Sequence, residues 1–261
     1  STPMLYAIGF IVTFTIGGIS GVMHAMSSSD AQQQDTYFIV AHFHYVLFGG
    51  AIMGIFGGLY YWFPKFSGRM FNEKMGKIQF WLLFIGQNIT FFPMHFVGMD
   101  GMPRRIYTYS SEMGWTALNA LETAGSILVV ISVALFLYNI VKSWRSGEKA
   151  PDDPWDARTL EWSISSPPPE YNFKEIPEVQ TVDDWWAKKR GLLGEQAPSG
   201  GSGEKGEIHL PQPSFWPLVT AIGIFIGGYG LIYSYPAAIV GLAIMMIGVY
   251  SWSFEPVNDP D

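Results

Sequence analysis

Six long runs of apolar residues constrain this chain more than any other feature of its sequence. A run of about 17–25 apolar residues can cross a bilayer as a helix, because lipid offers the backbone no hydrogen-bond partner outside the segment itself. Four of the six runs are long and two are shorter. The predicted spans are Pro3–Ala25, Thr36–Phe63, Ile78–Val97, Trp115–Val141, Phe215–Tyr233 and Ala237–Phe254. The sequence therefore predicts an all-α polytopic membrane protein with about six transmembrane helices.

Composition excludes several classes of function. Of the 261 residues, 49% are hydrophobic and only 14% are charged, which is the profile of a membrane protein. Because the chain has no cysteine, it contains no disulfide, thiolate haem ligand, iron–sulfur cluster or catalytic thiol. A metal would be held by His, Met, carboxylate or carbonyl groups. The net charge of −7 excludes a basic surface for nucleic acid.

The distribution of Lys and Arg predicts the orientation in the membrane. Four basic residues occupy the loop between the second and third spans, whereas the loop before the second span has none. The positive-inside rule makes the basic loop cytoplasmic and places both termini there, in a bacterial cytoplasmic membrane. Arg104 and Arg105 are an exception on the outer side. Two adjacent guanidiniums favour fixed carboxylates or phosphates, and the alternative is a solvated pair.

The chain divides into four parts by composition. We expect a four-helix unit in residues 1–142 and a cytoplasmic segment in residues 143–214, with an extended Pro167–Pro169 and a Gly/Ser linker. An appended transmembrane hairpin follows in residues 215–254, and an acidic tail in residues 255–261. His209 in the linker is assigned no role. Because the chain begins within a span, we expect a processed product or part of a longer polypeptide.

Two histidines lie within the uncharged second span. Titratable groups at such depth line a cavity, pair with another group or bind a metal. Side chains two residues apart on an α-helix point about 200° apart, so His42 and His44 predict two separate sites rather than one shared ion. The absence of carboxylates from this span favours haem iron over a zinc or di-iron cage. A proton relay, or packing between helices, is the alternative.

Other polar residues are weaker candidates. His24 and His95 are each expected to form structural hydrogen bonds more often than to act as ligands. Asp30 and Asp35 face the same outer side as the arginine pair. Around a haem edge, carboxylates and guanidiniums could share propionates, waters and a hard cation such as Mg²⁺. The alternative is an ordinary polar loop.

Several sequence blocks carry a resemblance to a known family. They are Asp35–Leu47, which contains His-Phe-His, together with Trp62–Pro64, Asn88–Pro93, Gly101–Arg105, Leu160–Trp162 and Ser166–Pro169. These blocks closely resemble subunit I of the haem–copper terminal oxidases, in the cytochrome c oxidase branch. The resemblance covers residues 1 to about 175. It implies that the first four spans match the last four of that family's twelve helices.

The resemblance assigns roles to the two histidines and their neighbours. His42 matches the proximal ligand of the high-spin haem that binds oxygen, and His44 matches one axial ligand of the low-spin haem. Phe43 lies between the two, and Tyr37 is a further expected cofactor contact.

The outer loops acquire roles in the same way. Arg104 and Arg105 match the pair that holds haem propionates, and Asp30 and Asp35 match acids near the propionates and the magnesium site. Gln34 stands where many relatives have a histidine that helps to bind magnesium, which argues against a bound Mg²⁺.

The implied function is that of part of a respiratory oxidase that reduces O₂ to water and translocates protons, with electrons from cytochrome c. The implied cofactors are two haems, of the A type, and a copper ion that this chain does not ligate. The implied partners are the N-terminal part of subunit I, a copper-bearing subunit II and other oxidase subunits. Two alternatives are a quinol-oxidising relative, against which Asp35 argues, and a haem-free proton-relaying transporter or accessory subunit.

Overall fold

A computed structural model of the chain describes residues 1–173, 176–192 and 214–255. These residues form helices, turns and isolated bridges, without an extended strand. Six helices are long and apolar enough to cross a membrane, in the positions that the apolar runs predict. The predicted class, an all-helical chain with about six spans, is therefore confirmed.

The first unit is built from α1 to α7. Its helices are α1 (Thr2–Ala25), α2 (Ser27–Gln33), α3 (Tyr37–Val46), α4 (Met53–Ser67), α5 (Glu73–Met99), α6 (Thr116–Ser146) and α7 (Asp184–Lys189). A π-helical turn, Leu47–Ile52, joins α3 to α4, so that the predicted second span is one continuous helical rod. Thr36 caps α3 by accepting the Phe38 N–H at 3.2 Å.

The helices run beyond the apolar runs at several ends. Helix α5 begins at Glu73 rather than at residue 78, because the Asn72 side chain caps it by accepting the Met75 N–H at 3.0 Å. Helix α6 continues to Ser146, past the predicted end at residue 141. Hydropathy marks the part of a helix that suits lipid, whereas the caps set where the helix ends.

A core of aromatic side chains joins α1, α4, α5 and α6. Tyr6 stacks on Tyr60 with ring centroids 5.7 Å apart and meets Phe80 edge-on at 5.0 Å. The Tyr6 hydroxyl donates to the side-chain oxygen of Gln79, whose amide donates to Ser132 Oγ at 3.0 Å. These polar groups satisfy one another within an apolar interior, which ties α1 to α5 and α5 to α6.

The hydrophilic segment after α6 packs against the end of α4. Buried Lys65 donates to the carbonyl oxygens of Asp152 at 3.0 Å and Ile164 at 2.8 Å, and Trp155 Nε1 donates to the Tyr61 carbonyl at 2.9 Å. The first unit therefore includes this segment. Most of the predicted Gly/Ser linker with His209, and residues 256–261 of the tail, lie outside the described residues.

The second unit is a hairpin of α8 (Trp216–Tyr233) and α9 (Tyr235–Ser253). Glycines bring the two backbones together. A Cβ atom on Gly241 would lie 2.1 Å from the Gly227 nitrogen, and one on Gly230 would lie 2.1 Å from the Ala238 nitrogen. Helices in lipid gain stability from such close approach, because small residues at the interface maximise van der Waals contact.

Candidate functional site

His42 and His44 lie on α3 and face different helices. The His42 side chain turns towards α1, where its Nδ1 lies 3.0 Å from the Gly17 carbonyl oxygen and 2.9 Å from Ser20 Oγ. A Cβ atom on Gly21 would lie only 3.1 Å from the His42 ring, so that α1 is in direct contact with it. Both histidines are half-buried in this chain.

The His44 side chain turns towards α5. Its ring stacks on Phe91 with centroids 4.1 Å apart and an interplanar angle of 12°, and Phe43 packs on it at 4.4 Å. His44 Nδ1 lies 2.7 Å from the Val40 carbonyl oxygen, one turn earlier on the same helix.

The hydrogen bonds of the two rings define their chemistry. A carbonyl oxygen can only accept, so Nδ1 carries the proton in both rings and Nε2 keeps its lone pair. An imidazole that donates from one nitrogen to a carbonyl is oriented and made more basic for metal ligation through the other. An open apolar groove also lies between α1 and this rod, lined in part by Phe10, Val46 and Gly50 but by neither histidine. The residues present therefore fit two separate iron ligands.

The arginine pair lies at the loop end of α3. Arg104 Nε donates to Asp35 Oδ1 at 2.8 Å, and the Arg104 backbone N–H donates to the Asp35 carbonyl at 2.8 Å. Arg104 is half-buried, whereas Arg105 is exposed. Asp35 and Arg105 both have left-handed backbones, with φ of 57° and 67°. The structure thus brings Asp35 and Arg104 together.

Asp30 lies near His24 of α1, which in turn lies near His42 of α3. Its carboxylate is 3.5 Å from His24 Nδ1, and the His24 ring meets the His42 ring edge-on at 4.9 Å. At 3.5 Å the Asp30 contact is a close approach rather than a hydrogen bond, and neither buried ring nitrogen of His24 has a hydrogen-bond partner among the described residues. Asp30 therefore approaches His24, and His24 contacts His42.

The remaining predicted residues have other surroundings. Tyr37 packs on a cluster that includes Val97 and Met102, and Gln34 is exposed at the end of α2. His95 Nδ1 donates to the Phe92 carbonyl at 3.1 Å. Among the described residues, no three His or carboxylate side chains are grouped to share a metal ion.

Sequence reasoning missed the residues that hold the imidazoles. Gly17 and Ser20 supply the partners of His42, and Phe91 supplies the stacking surface for His44. Gly17 admits the close approach because a Cβ there would lie 2.9 Å from the Val46 nitrogen. The only sequence signal was a small-residue stretch in α1, which is common in membrane helices.

Comparisons with known proteins identify the family of the chain. The family model described as "Cytochrome C and Quinol oxidase polypeptide I" matches residues 1–144. Cytochrome c oxidase subunit 1 of Bacillus sp. (strain PS3) is 46% identical over 253 residues, which cover 94% of this chain and 41% of the relative. Quinol oxidase subunit 1 of Bacillus subtilis (strain 168) is 41% identical over 262 residues, covering 99% of this chain and 40% of the relative. The hairpin of α8 and α9 therefore lies within the matched length.

A solved structure supports the fold. A heme-copper terminal oxidase dimer determined by cryo-EM matches with a TM-score of 0.51 at 21% identity, over 57% of this chain and 28% of that one. The chain thus spans about 40% of the length of the curated Bacillus relatives that it matches. Both a cytochrome c oxidase subunit and a quinol oxidase subunit match, so the comparisons establish the family that contains both types. The chain belongs to the cytochrome c and quinol oxidase polypeptide I family.

Proposed function

We propose that this chain is the haem-ligating C-terminal part of the catalytic subunit of a respiratory terminal oxidase that reduces O₂ to water, translocates protons and takes electrons from cytochrome c. The observation that carries the proposal is the pair of imidazoles on α3. Each has its Nδ1 proton bound to a carbonyl, and they face α1 and α5 respectively. One rigid element therefore fixes the separation of two ligands, which differ by two residues or roughly 3 Å of helical rise.

His42 is the proposed ligand of the high-spin haem iron and His44 that of the low-spin haem iron. When bound, haems of the A type supply electron transfer and oxygen reduction. The protein supplies orientation: the Gly17 carbonyl holds the plane of His42, and the Val40 carbonyl with the Phe91 ring holds that of His44. Phe43 and Tyr37 are proposed as apolar and aromatic contacts to the cofactors.

The loop residues are proposed to hold the anionic edges of the haems. Arg104 is oriented by Asp35 and presents a guanidinium suited to a carboxylate, and exposed Arg105 adds a second positive charge. Asp30 is proposed to lie near the propionates on the His42 side. Asp35 is proposed as a ligand of a Mg²⁺ ion, although Gln34 takes the place of the histidine that helps to bind magnesium in many relatives and Arg104 already binds the Asp35 carboxylate.

The proposal also includes the assembly. We propose that the N-terminal part of subunit I, a copper-bearing subunit II and the other oxidase subunits complete the enzyme. The copper ion is held outside this chain. The location is a bacterial cytoplasmic membrane, with both termini on the cytoplasmic side as the basic loop predicts.

The test uses His42→Ala and His44→Ala in the assembled oxidase, with His95→Ala as the matched control. His95 is a histidine of the same outer region whose Nδ1 bonds to a backbone carbonyl. We expect each ligand variant to lose about half of the extractable haem and a different absorption band in reduced-minus-oxidised spectra. The control should keep both bands. Identical spectra for the two ligand variants would contradict separate sites, and absence of haem from the unaltered complex would favour a proton-relaying transporter or accessory subunit.

A quinol-oxidising function is the second candidate. The observation in its favour is the Bacillus subtilis quinol oxidase match, which covers 99% of this chain. Steady-state oxygen consumption with reduced cytochrome c and with a soluble quinol, measured on the same preparation, separates the two donors. A preference for quinol would replace cytochrome c in the proposal and leave the haem ligands as they are.

A further inference from the structure

Helix α6 presents a stripe of polar side chains to α5. Four of them have hydrogen-bond partners. Ser132 Oγ donates to the Gln79 carbonyl at 2.8 Å, and Ser143 Oγ donates to Asn139 at 3.1 Å. In the same way, Asn139 donates to the Asn72 carbonyl at 3.3 Å and Asn119 to the Trp115 carbonyl at 2.9 Å. The Ser132 and Asn139 bonds join α6 to α5 or its N-cap, whereas the Ser143 and Asn119 bonds lie within α6 and its own N-cap.

Glu122 lies on the same stripe and breaks the pattern. Glu122 is only 5% exposed, and its side-chain oxygen Oε1 has no hydrogen-bond partner among the described residues. Glu122 is the only acidic or basic residue in the sequence between Thr116 and Val141. The other four polar side chains of the stripe have hydrogen-bond partners, whereas Glu122 Oε1 has none among the described residues. Hydrogen bonding between helices therefore does not explain the presence of Glu122.

The charged groups of the neighbouring elements lie elsewhere. On α5, Glu73, Lys74 and Lys77 occupy the opposite end of the helix, and the His95 ring packs against Phe38 of α3 at 4.9 Å. In the loop before α6, Asp100 accepts from Trp115 Nε1 at 2.8 Å. Within the described ranges, therefore, no cation faces Glu122. A buried carboxylate without a counterion is expensive in an apolar medium, whereas the neutral acid is tolerated.

Packing next to Glu122 is tight. A Cβ atom on Gly125, one turn further along α6, would lie 2.6 Å from the Thr90 nitrogen of α5. Because the two helices are antiparallel, this register places Glu122 near the turn of α5 that contains Pro93. Proline has no N–H, so the Ile89 carbonyl lacks its usual helical donor.

The position of Glu122 also allows exchange with water. It lies six residues after the start of α6, which is roughly 9 Å from the surface formed by residues 100–115. Half-buried Asn119 lies one turn nearer that surface on the same side of the helix. The Glu122 carboxyl is therefore buried, but it lies only a short distance from water.

We propose that Glu122 is a membrane-embedded proton-binding site, a neutral carboxylic acid whose proton exchanges with water at the surface formed by residues 100–115. The inference goes beyond the proposed oxidase function and does not depend on the haem ligands. It assigns to α6 a group that can accept and release one proton within the membrane region.

The test is infrared spectroscopy of the assembled complex with Glu122→Gln, and with Glu112→Gln as the matched control. Glu112 is an exposed carboxyl in the loop before α6. We expect the carbonyl stretch of a protonated carboxyl in the unaltered complex, its complete loss in the Glu122→Gln variant and its retention in the control. Transfer into D₂O should shift the band, which reports exchange.

Two results would overturn the inference. A band that is the same in the unaltered complex and the Glu122→Gln variant means that Glu122 is ionised, for instance beside a cation of another polypeptide. A Glu122 band that stays unshifted in D₂O means that the proton does not exchange. If Glu122→Gln does not assemble, Glu122→Asp keeps a carboxyl group and should move the band to a new frequency; an unmoved band then counts against the site.

Discussion

Asp35 and Arg104 are joined twice, by a side-chain ion pair at 2.8 Å and by a backbone hydrogen bond of the same length. An antiparallel bridge between Thr36 and Pro103 extends this connection. The start of α3 and the loop after α5 are thereby fixed to each other. Arg104 is consequently positioned by the start of the helix that carries the two histidines, although 69 residues separate Asp35 from Arg104 in sequence.

Substitution of Asp35 separates the roles of its charge and its backbone. Its side chain is 74% exposed, so the ion pair contributes at most about 1 kcal/mol and less in high salt. Asn tolerates the left-handed φ of 57°, whereas Ala there costs about 1–2 kcal/mol more. Thermal unfolding of the assembled complex should therefore show a smaller loss for Asp35→Asn than for Asp35→Ala. Equal losses would assign the whole effect to the charge.

Removal of the Lys65 ammonium should release the segment that follows α6. Lys65 is 7% exposed and donates to three carbonyl oxygens, of Asp152, Ile164 and Ser165. Lys65→Met removes three charge-assisted hydrogen bonds to partly buried carbonyls, at a cost of about 3 kcal/mol. Cleavage by protease within residues 150–166 should then rise roughly a hundredfold. Exposed Lys74 is the control, and a Lys74→Met variant that is cleaved equally fast would refute the assignment.

Close contact in the second unit depends on particular glycines. Gly241→Ala would place a methyl group against the Gly227 backbone, which forces α8 and α9 apart at a cost of about 1–3 kcal/mol. Gly228→Ala is the matched control, because nothing lies within 4 Å of its added Cβ. Hydrogen exchange of the amides of both helices should accelerate only in the Gly241 variant. Protection that is unchanged in both variants would contradict backbone contact.

Acid should loosen α7 from the segment that follows α6. The hydrogen bond from Lys189 of α7 holds the pKa of Asp156 below its usual range. Because this folded pKa is depressed, the carboxylate stabilises the contact above the unfolded value of about 3.9, and the stabilisation is lost as pH falls through the lower folded value.

Fluorine NMR of fluorotryptophan-labelled protein reports this change at Trp186, whose ring lies 4.3 Å from the Arg190 guanidinium. The Trp186 resonance, assigned with Trp186→Phe, should stay constant near neutral pH and move only below about pH 4. A transition centred near pH 6.5 would point to a histidine instead.

The sequence predicts the spanning helices well because apolar length is a local property. It also places His42 and His44 on one helix with separate surroundings, since that follows from helical geometry alone. Gly17, Ser20 and Phe91 could not be assigned from the pattern, because which faces of α1 and α5 meet α3 depends on packing between distant segments. Residues 143–173 and 176–192 illustrate the same point: their polar composition suggests a separate cytoplasmic segment, whereas Lys65 and Tyr61 bind part of them to the helices.

The π-helical turn Leu47–Ile52 lies directly after the stretch of the second span that contains His42 and His44. Such a turn holds one residue more than the α-helix around it. If the same residues were wound as a regular α-helix, Met53–Ser67 would be rotated by about 100° relative to the histidines. The winding of this single turn therefore determines which face of α4 contacts Tyr6 and Phe136. It also determines where Lys65 meets its carbonyl partners.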